Sequence, residues 1–317
     1  MVSEQEVHYA YRLLLGRVEG DPEVVASHAR TAGSLDELRD HFVTSPEFRQ
    51  LHEFGGFMEL SAPPLRVETE ASAAQLEAMV RRTEAKWRRF GETEPHFSVL
   101  ASDVFKADRI GETEEDFYDS GRQFLEELRG TAARCGVDLG HDGRCFELGA
   151  GVGRISVWLA RQFKTVVAAD ISKPHLKIAQ AAADRFKCPN IECLHVSSIA
   201  ELVAAAPFDV FVSLIVLQHN PPPVIALLLR TMLDKLRPGG VAFFQVPTYR
   251  RNYRFRVKKY LAAPAVDEEF EMHLIPQVTL FRILRESGCE VLACHEDDAA
   301  GGNMISNRIF AQKVAAA

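Results

Sequence analysis

From residue 144 onward the chain alternates short apolar runs with stretches in which apolar residues recur every three to four positions. The runs are RCFELG (144–149), TVVAAD (165–170), IECLHVS (191–197), VFVSLI (210–215) and VAFFQVP (241–247). Between the first two, Ile155, Leu159 and Phe163 share one helical face with Trp158 adjacent. Ahead of the last, Ile225, Leu229, Met232 and Leu236 share another, which stops at Pro238-Gly239-Gly240. Strands alternating with helices at this spacing predict a parallel sheet covered by helices on both faces. EVLACH (290–295) and NRIFAQK (307–313), joined by a glycine-containing loop, are two further strand-like runs placed to close the sheet edge.

The first fifty residues follow a different pattern. Val7, Tyr11, Leu14 and Leu15 fall at helical spacing and Gly16 is a stop; Ser34 and Glu37 have the spacing of a capping box; Pro46 opens a further helix. GGFMELSAPP (55–64) is a glycine and proline cluster that reads as a linker. A longer helix over roughly 70–90 carries Arg81, Arg82, Lys86, Arg88 and Arg89. The expected organisation is therefore a helical accessory module (1–54), a linker (55–69), a helical extension (70–135) and an α/β domain (136–317).

Composition narrows the partners. The 317 residues are 47% apolar and 26% charged with a net charge of −7, which argues against a general nucleic-acid binder. Six cysteines form no CxxC pair, so no zinc or redox motif is expected. The N-terminus lacks the apolar core of a signal peptide, and VIALLL (224–229) is far too short for a membrane span. These features predict a soluble, cytoplasmic protein in a reducing compartment.

The chemistry concentrates in CFELGAGVGRIS (145–156). Gly149, Gly151 and Gly153 are spaced G-x-G-x-G, whereas a dinucleotide fingerprint needs G-x-G-x-x-G. Glu147 ends the strand, where a carboxylate would repel pyrophosphate but suit a ligand bearing an ammonium group. S-adenosylmethionine has an amino-acid tail, a sulfonium and no phosphate. Asp170, ending the second run, can accept hydrogen bonds from ribose hydroxyls, and Ser197 or Ser198 can face the adenine amino group.

Taken in order, ELGAGVGRIS, AADIS, FDVFVSLIVLQH and LRPGGVAFF resemble the motifs of class I S-adenosylmethionine-dependent methyltransferases over about 144–314. The resemblance implies a Rossmann-like, mostly parallel α/β sheet of seven strands whose last strand is antiparallel, and S-adenosyl-L-homocysteine as product. It implies that Glu147, Gly149, Gly151, Gly153 and Asp170 line the cofactor, with Ile171, Ser198, Ile199 and Ile215 at the ends of successive strands. The family's acidic residue near the third strand is replaced by Ser197-Ser198. The segment 86–121 resembles an extension that lies over the cofactor cleft in some bacterial members, which would bring Phe97, Tyr118 and Gly121 near the donor. Residues 9–50 resemble a small helical module that accompanies bacterial glycosyltransferases and surface-polysaccharide enzymes. It implies a glycan context, with a homo-oligomer or a polysaccharide-biosynthesis protein as partner.

Methyl transfer to a hydroxyl requires alignment and a base. His219 follows the fourth strand at the sheet edge where ligands bind, and His273 comes after the fifth; both are candidate catalytic residues. Asn220-Pro221-Pro222 comes too late, and without the following aromatic, to be an amino-methylating motif, so the prolines read as a helix start. The carboxylates at 267–269 and 296–298 read as solvated loop charges, and no metal is expected. In TYRRNYRFRVKKY (248–260), Tyr249, Arg250 and Arg254 are candidate contacts to a phosphate or sugar, against a solvated amphipathic insertion. The expectation is O-methylation of a bacterial glycan or sugar-containing precursor. An amine, natural-product or RNA acceptor and a non-catalytic donor-binding scaffold are the rivals.

Overall fold

In the computed structural model the described residues are 2–19, 21–48, 64–264 and 270–314. Two compact units divide the chain, Met1–Phe57 and Met58–Ala317. The linker expected over 55–69 lies, as far as residue 63, outside the described residues.

In the first unit, helix Glu4–Leu15 buries Val7, Tyr11 and Leu15 and ends at Gly16, whose φ of 65° is left-handed. Helices Pro22–Thr31 and Leu35–Val43 complete a small core through Val25, Leu38 and Phe42. Half of the expected capping box forms at Ser34. Its side chain accepts from the Glu37 N–H, but the Glu37 carboxylate accepts from the Gly33 N–H. Pro46 is the first residue of the next helical turn.

The second unit is built on seven strands: β1 Arg144–Leu148, β2 Thr165–Asp170, β3 Ile191–His195, β4 Phe208–Ser213, β5 Leu236–Tyr249, β6 Cys289–Asp297 and β7 Ile305–Lys313. Their order across the sheet is β3-β2-β1-β4-β5-β7-β6. The first five are mutually parallel, and β7 runs antiparallel between β5 and β6. This is the Rossmann-like sheet expected from the sequence, with the reversed strand inserted beside the edge rather than forming it.

Strand alternation sorts the apolar residues onto two cores. Phe146, Leu148, Val167, Phe211 and Phe244 face one side with helices Pro222–Lys235 and Gln277–Glu286. Cys145, Val166, Val210, Val212 and Phe243 face the other with helix Arg122–Arg134 and with Phe117 and Tyr118. Ile155, Leu159 and Phe163 all enter the second core as expected, but only Ser156–Leu159 is α-helical. The six cysteines are free thiols, and Cys145 is fully buried. Among the described residues no helix is long and apolar enough to cross a membrane.

The crossing from β1 to β2 reverses direction against the crossing from β4 to β5, so a crevice opens outside the carboxyl ends of β1 and β4. Helices Ala73–Thr93 and Pro95–Val99 lie over it. The basic segment is tied back elsewhere, since Arg254–Phe255 pairs in parallel with Arg66–Val67.

Candidate functional site

Two cavities meet in this crevice. The first, of about 100 Å³, has Gly149, Gly151 and Asp170 on one wall and Ile171, Ser198 and Ile199 on another. The second, of about 550 Å³, has Arg154, Gln218, His219, Phe270 and Met272 among its lining residues. Ser98, Val99, Leu214 and Ile215 line both and mark the junction.

The first cavity is shaped by backbone. Gly149 and Gly151 have φ of 78° and 55°, and a Cβ on them would come within 2.2 Å of Val216 and 2.5 Å of Val99. Asp170 holds the turn: one carboxylate oxygen accepts the Gly151 N–H at 2.8 Å, the other the Ser172 N–H at 2.8 Å. Each oxygen keeps a second lone pair for a ligand hydroxyl. Helix Pro95–Val99 is fastened over the turn through Ser98, whose hydroxyl lies 2.9 Å from the buried His175 Nε2.

The expected cofactor residues divide. Gly149, Gly151, Asp170, Ile171, Ser198, Ile199 and Ile215 line the first cavity. Glu147 lines neither cavity: as a neighbour-but-one of Cys145 it points into the same core face, and its Oε2 accepts from Ser156 Oγ at 2.5 Å. Burial pushes its carboxyl up to about 7. Gly153 also lies off the wall, against Ala179. Tyr118 is a core residue whose hydroxyl donates to the Val152 carbonyl at 3.1 Å, and Gly121 packs against the Arg154 carbonyl. Phe97 is half-buried beside Phe270 and Lys106 and lines neither cavity.

Ser198 is on the wall, and its hydroxyl oxygen also caps a helix. It accepts from the Glu201 N–H while the Glu201 carboxylate accepts from the Ser198 N–H at 3.0 Å, a capping box on helix Ile199–Ala204. The S-x-x-E spacing at 198–201 carried that signal.

Ile215 is the sharpest backbone anomaly. Its φ of 58° is rare for a β-branched residue, and such outliers persist where the surroundings over-determine them. Its N–H donates to Oε1 of the fully buried Gln245 at 3.1 Å. Gln245 Nε2 in turn donates to Gln218 Oε1 at 2.9 Å and to Ser306 Oγ at 2.6 Å.

His219 is held by two tilted aromatic rings and a carbonyl. Trp87 and Phe270 pack on the ring at centroid distances of 5.2 and 5.7 Å. Its Nδ1 lies 3.0 Å from the Glu271 carbonyl, which as a pure acceptor places the hydrogen on Nδ1 and the lone pair on Nε2. Burial lowers the imidazole pKa to about 4, so the ring is neutral at pH 7.

His273 is not brought to either cavity. It is buried, with Nδ1 2.8 Å from Tyr253 Oη and Nε2 3.3 Å from Glu271 Oε2. The same Glu271 carboxylate accepts from Tyr260 at 2.8 Å and pairs with Arg82 at 3.2 Å and Lys86 at 3.4 Å. Against the cost of burial, these donors and cations hold it down at about 2. His273 therefore braces the residue whose carbonyl orients His219.

Tyr249, Arg250 and Arg254 also line neither cavity. Tyr249 is buried in β5 and Arg254 is exposed; Phe255 and Val257 point inward while Arg251, Lys258 and Lys259 face solvent. The segment has the form of an amphipathic insertion. Of the two acidic clusters, 267–269 lies outside the described residues, and Asp297 pairs with Arg308 at 3.3 Å. Among the described residues no group of three metal-ligating side chains gathers. Trp87, Phe270, Met272 and Arg308 were not legible as site residues, because no local motif links them; Arg154 was signalled only by following the glycine turn.

A sequence model of the family described as "Methyltransferase domain" matches residues 146–240, from β1 into β5. The ubiquinone biosynthesis O-methyltransferase of Paracidovorax citrulli is 31% identical over 138 residues, which are 43% of this chain and 54% of that protein. That of Ruegeria pomeroyi is 29% identical over 158 residues, 46% of this chain and 60% of the relative. The chain thus spans a little over half the length of these curated relatives. Among solved structures, magnesium protoporphyrin IX methyltransferase from Synechocystis PCC 6803 with bound S-adenosylhomocysteine is similar over 73% of this chain and 99% of that one, at 16% identity and a TM-score of 0.48.

Proposed function

We propose, from the premise that this chain carries a class I S-adenosylmethionine-dependent methyltransferase domain, that it methylates a hydroxyl group of an acceptor seated in the second cavity. One observation carries this reading: the neutral His219 ring, hydrogen-bonded through Nδ1 and lining that cavity beside Ile215. When bound, the donor supplies a methyl carbon activated by its sulfonium. Gly149 and Gly151 would let it lie against backbone, Asp170 would accept from its ribose hydroxyls, and Ile171 and Ile199 would flank its adenine. His219 Nε2 takes the acceptor's proton as the new bond forms. The amide of Gln218, 3.4 Å from Nε2, is a contact long enough to yield to a hydroxyl.

The names of the curated relatives support oxygen as the acceptor atom. The resemblance of residues 9–50 to modules of surface-polysaccharide enzymes supports a bacterial glycan or sugar-containing precursor, with that module docking a second copy or a biosynthetic partner. The free cysteines support action in a reducing compartment such as the cytoplasm.

Labelled donor offered with a panel of hydroxyl, amine and RNA acceptors tests the reading. Transfer to hydroxyl acceptors is expected, and His219→Ala should lower turnover roughly 10²–10⁴-fold with donor affinity unchanged. Normal turnover of that variant removes the base assignment. Tight donor binding with transfer to nothing favours a scaffold.

A further inference from the structure

One buried histidine lies beneath both helices that cover the crevice. His175, on helix Lys173–Arg185, is 1% exposed and lines the first cavity. Its Nδ1 lies 2.8 Å from Ser172 Oγ and its Nε2 2.9 Å from Ser98 Oγ. The Ser98 hydroxyl donates to the Pro95 carbonyl at 3.0 Å, so toward His175 it accepts, which places the ring hydrogen on Nε2. Nδ1 then accepts from the Ser172 hydroxyl. Burial lowers the imidazole pKa, so the ring is neutral at pH 7 and keeps this single-direction chain. The Ser172 N–H donates to Asp170 Oδ1 at 2.8 Å, and the other oxygen of that carboxylate holds the glycine turn. The longer helix, Ala73–Thr93, seats on the same pair: a Cβ on Gly91 would come within 2.7 Å of both His175 Nδ1 and Ser172 Oγ. Trp87, one turn earlier on that helix, lies 6.2 Å from the His175 ring and 5.2 Å from the His219 ring, centroid to centroid.

We propose that His175 is a positioning residue that couples the donor site to the acceptor cavity, tied to Asp170 through Ser172 and holding the segment 95–101 through Ser98. This rests on the methyl-donor reading above. Ser98 and Val99 line both cavities, and Leu100 and Ala101 line the second, so the segment that His175 fastens is a wall shared by donor and acceptor. A donor whose ribose hydroxyls bond Asp170 fixes that carboxylate, and in a hydrogen-bonded chain each bond strengthens its neighbours, so the ordering extends to Ser98. An acceptor that arrives second meets a wall already ordered, which is positive coupling between the two ligands.

Amide hydrogen exchange on the full chain measures the coupling, with S-adenosylhomocysteine as the probe. In the native protein, saturation with this nucleoside should slow exchange about 10-fold or more at 98–101 as well as at 149–153. His175→Ala should lose the protection at 98–101, keep that at 149–153, and release the nucleoside about 5- to 100-fold faster. Two further variants separate coupling from a role in filling the core. His175→Gln carries an amide to the Nε2 position and can still bond Ser98, whereas His175→Asn reaches only the Nδ1 position that faces Ser172. Protection at 98–101 is therefore expected in the glutamine variant and not in the asparagine variant. Should His175→Ala fail to fold, the glutamine and asparagine variants decide between themselves. Native protein that shows no protection at 98–101, full protection there in His175→Ala, or equal behaviour of the glutamine and asparagine variants overturns the assignment. A native protein that does not bind the nucleoside fails the donor reading instead. Exchange at 95–101 in the free protein then decides His175 alone: a faster rate in His175→Asn than in His175→Gln supports its hold on the segment, and equal rates overturn it.

Discussion

Across one crevice, the wall at 148–153 and the wall at 215–219 with 270–272 are made differently. The first is backbone, with two left-handed glycines and a carboxylate that holds the Gly151 N–H, all within the unit from β1 to β2. The second is side chain, and its parts come from β4, β5, the segment before helix Gln277–Glu286 and the approach to β7. A backbone wall tolerates almost no added atom. A side-chain wall tolerates change in shape but depends on each buried polar group finding its partner.

The largest effect should follow from adding atoms to the backbone wall. Gly151→Val places a Cβ 2.5 Å from Val99 at a φ of 55°, and binding of S-adenosylhomocysteine should fall by about 100-fold or more while the sheet's circular dichroism persists. Retained binding would show that the turn does not form the donor wall.

Glu147→Gln probes the charge beneath that wall. Folding raises the Glu147 carboxyl from 4.5 to about 7, so the folded state holds the proton more tightly than the unfolded chain. The stability contributed through this carboxyl is then full below about pH 4.5 and is lost as pH rises through 7. The glutamine variant stays neutral, so it should gain on the native protein across that window by about 3 kcal/mol, read as a difference in melting temperature that is absent at pH 4 and full at pH 8.

On the side-chain wall, Gln245→Leu leaves the Ile215 N–H, the Gln218 Oε1 and the Ser306 hydroxyl without that partner. A loss of about 1–3 kcal/mol in urea unfolding is expected, with turnover lowered more than donor affinity, because the strained residue lies at the junction of the cavities. Equal losses in turnover and affinity would mean that Gln245 only stabilises. The smallest effect belongs to Arg250→Ala with Arg254→Ala, outside both cavities. Stability should stay within about 0.5 kcal/mol and the Michaelis constant unchanged.

How much was legible follows the same division. The apolar runs recovered all seven strands because a strand covered by helices on both faces reads as a short continuous apolar run, and the turn at 149–153 was readable because its glycines are conformational requirements. Glu147 leaves the cofactor wall for a local reason as well. Its side chain found a nearer partner, Ser156, in the core face of β1. Residue type suggests His273, Tyr249, Arg250 and Arg254 for the site, and packing keeps them off the walls of the two cavities. Nothing in FEMHLIPQ announces that His273 turns to Glu271 and Tyr253.

By itself the sequence determined the sheet, its order of apolar runs and the glycine turn, since these rest on periodicity and on backbone sterics that act between neighbours. Only the tertiary structure decided which buried polar groups are satisfied. It gave His219 the Glu271 carbonyl for its Nδ1 hydrogen and spent His273 on Tyr253. The reason is physical: the fate of a buried polar group depends on which partners the fold brings within about 3 Å of it, and those partners are far away along the chain.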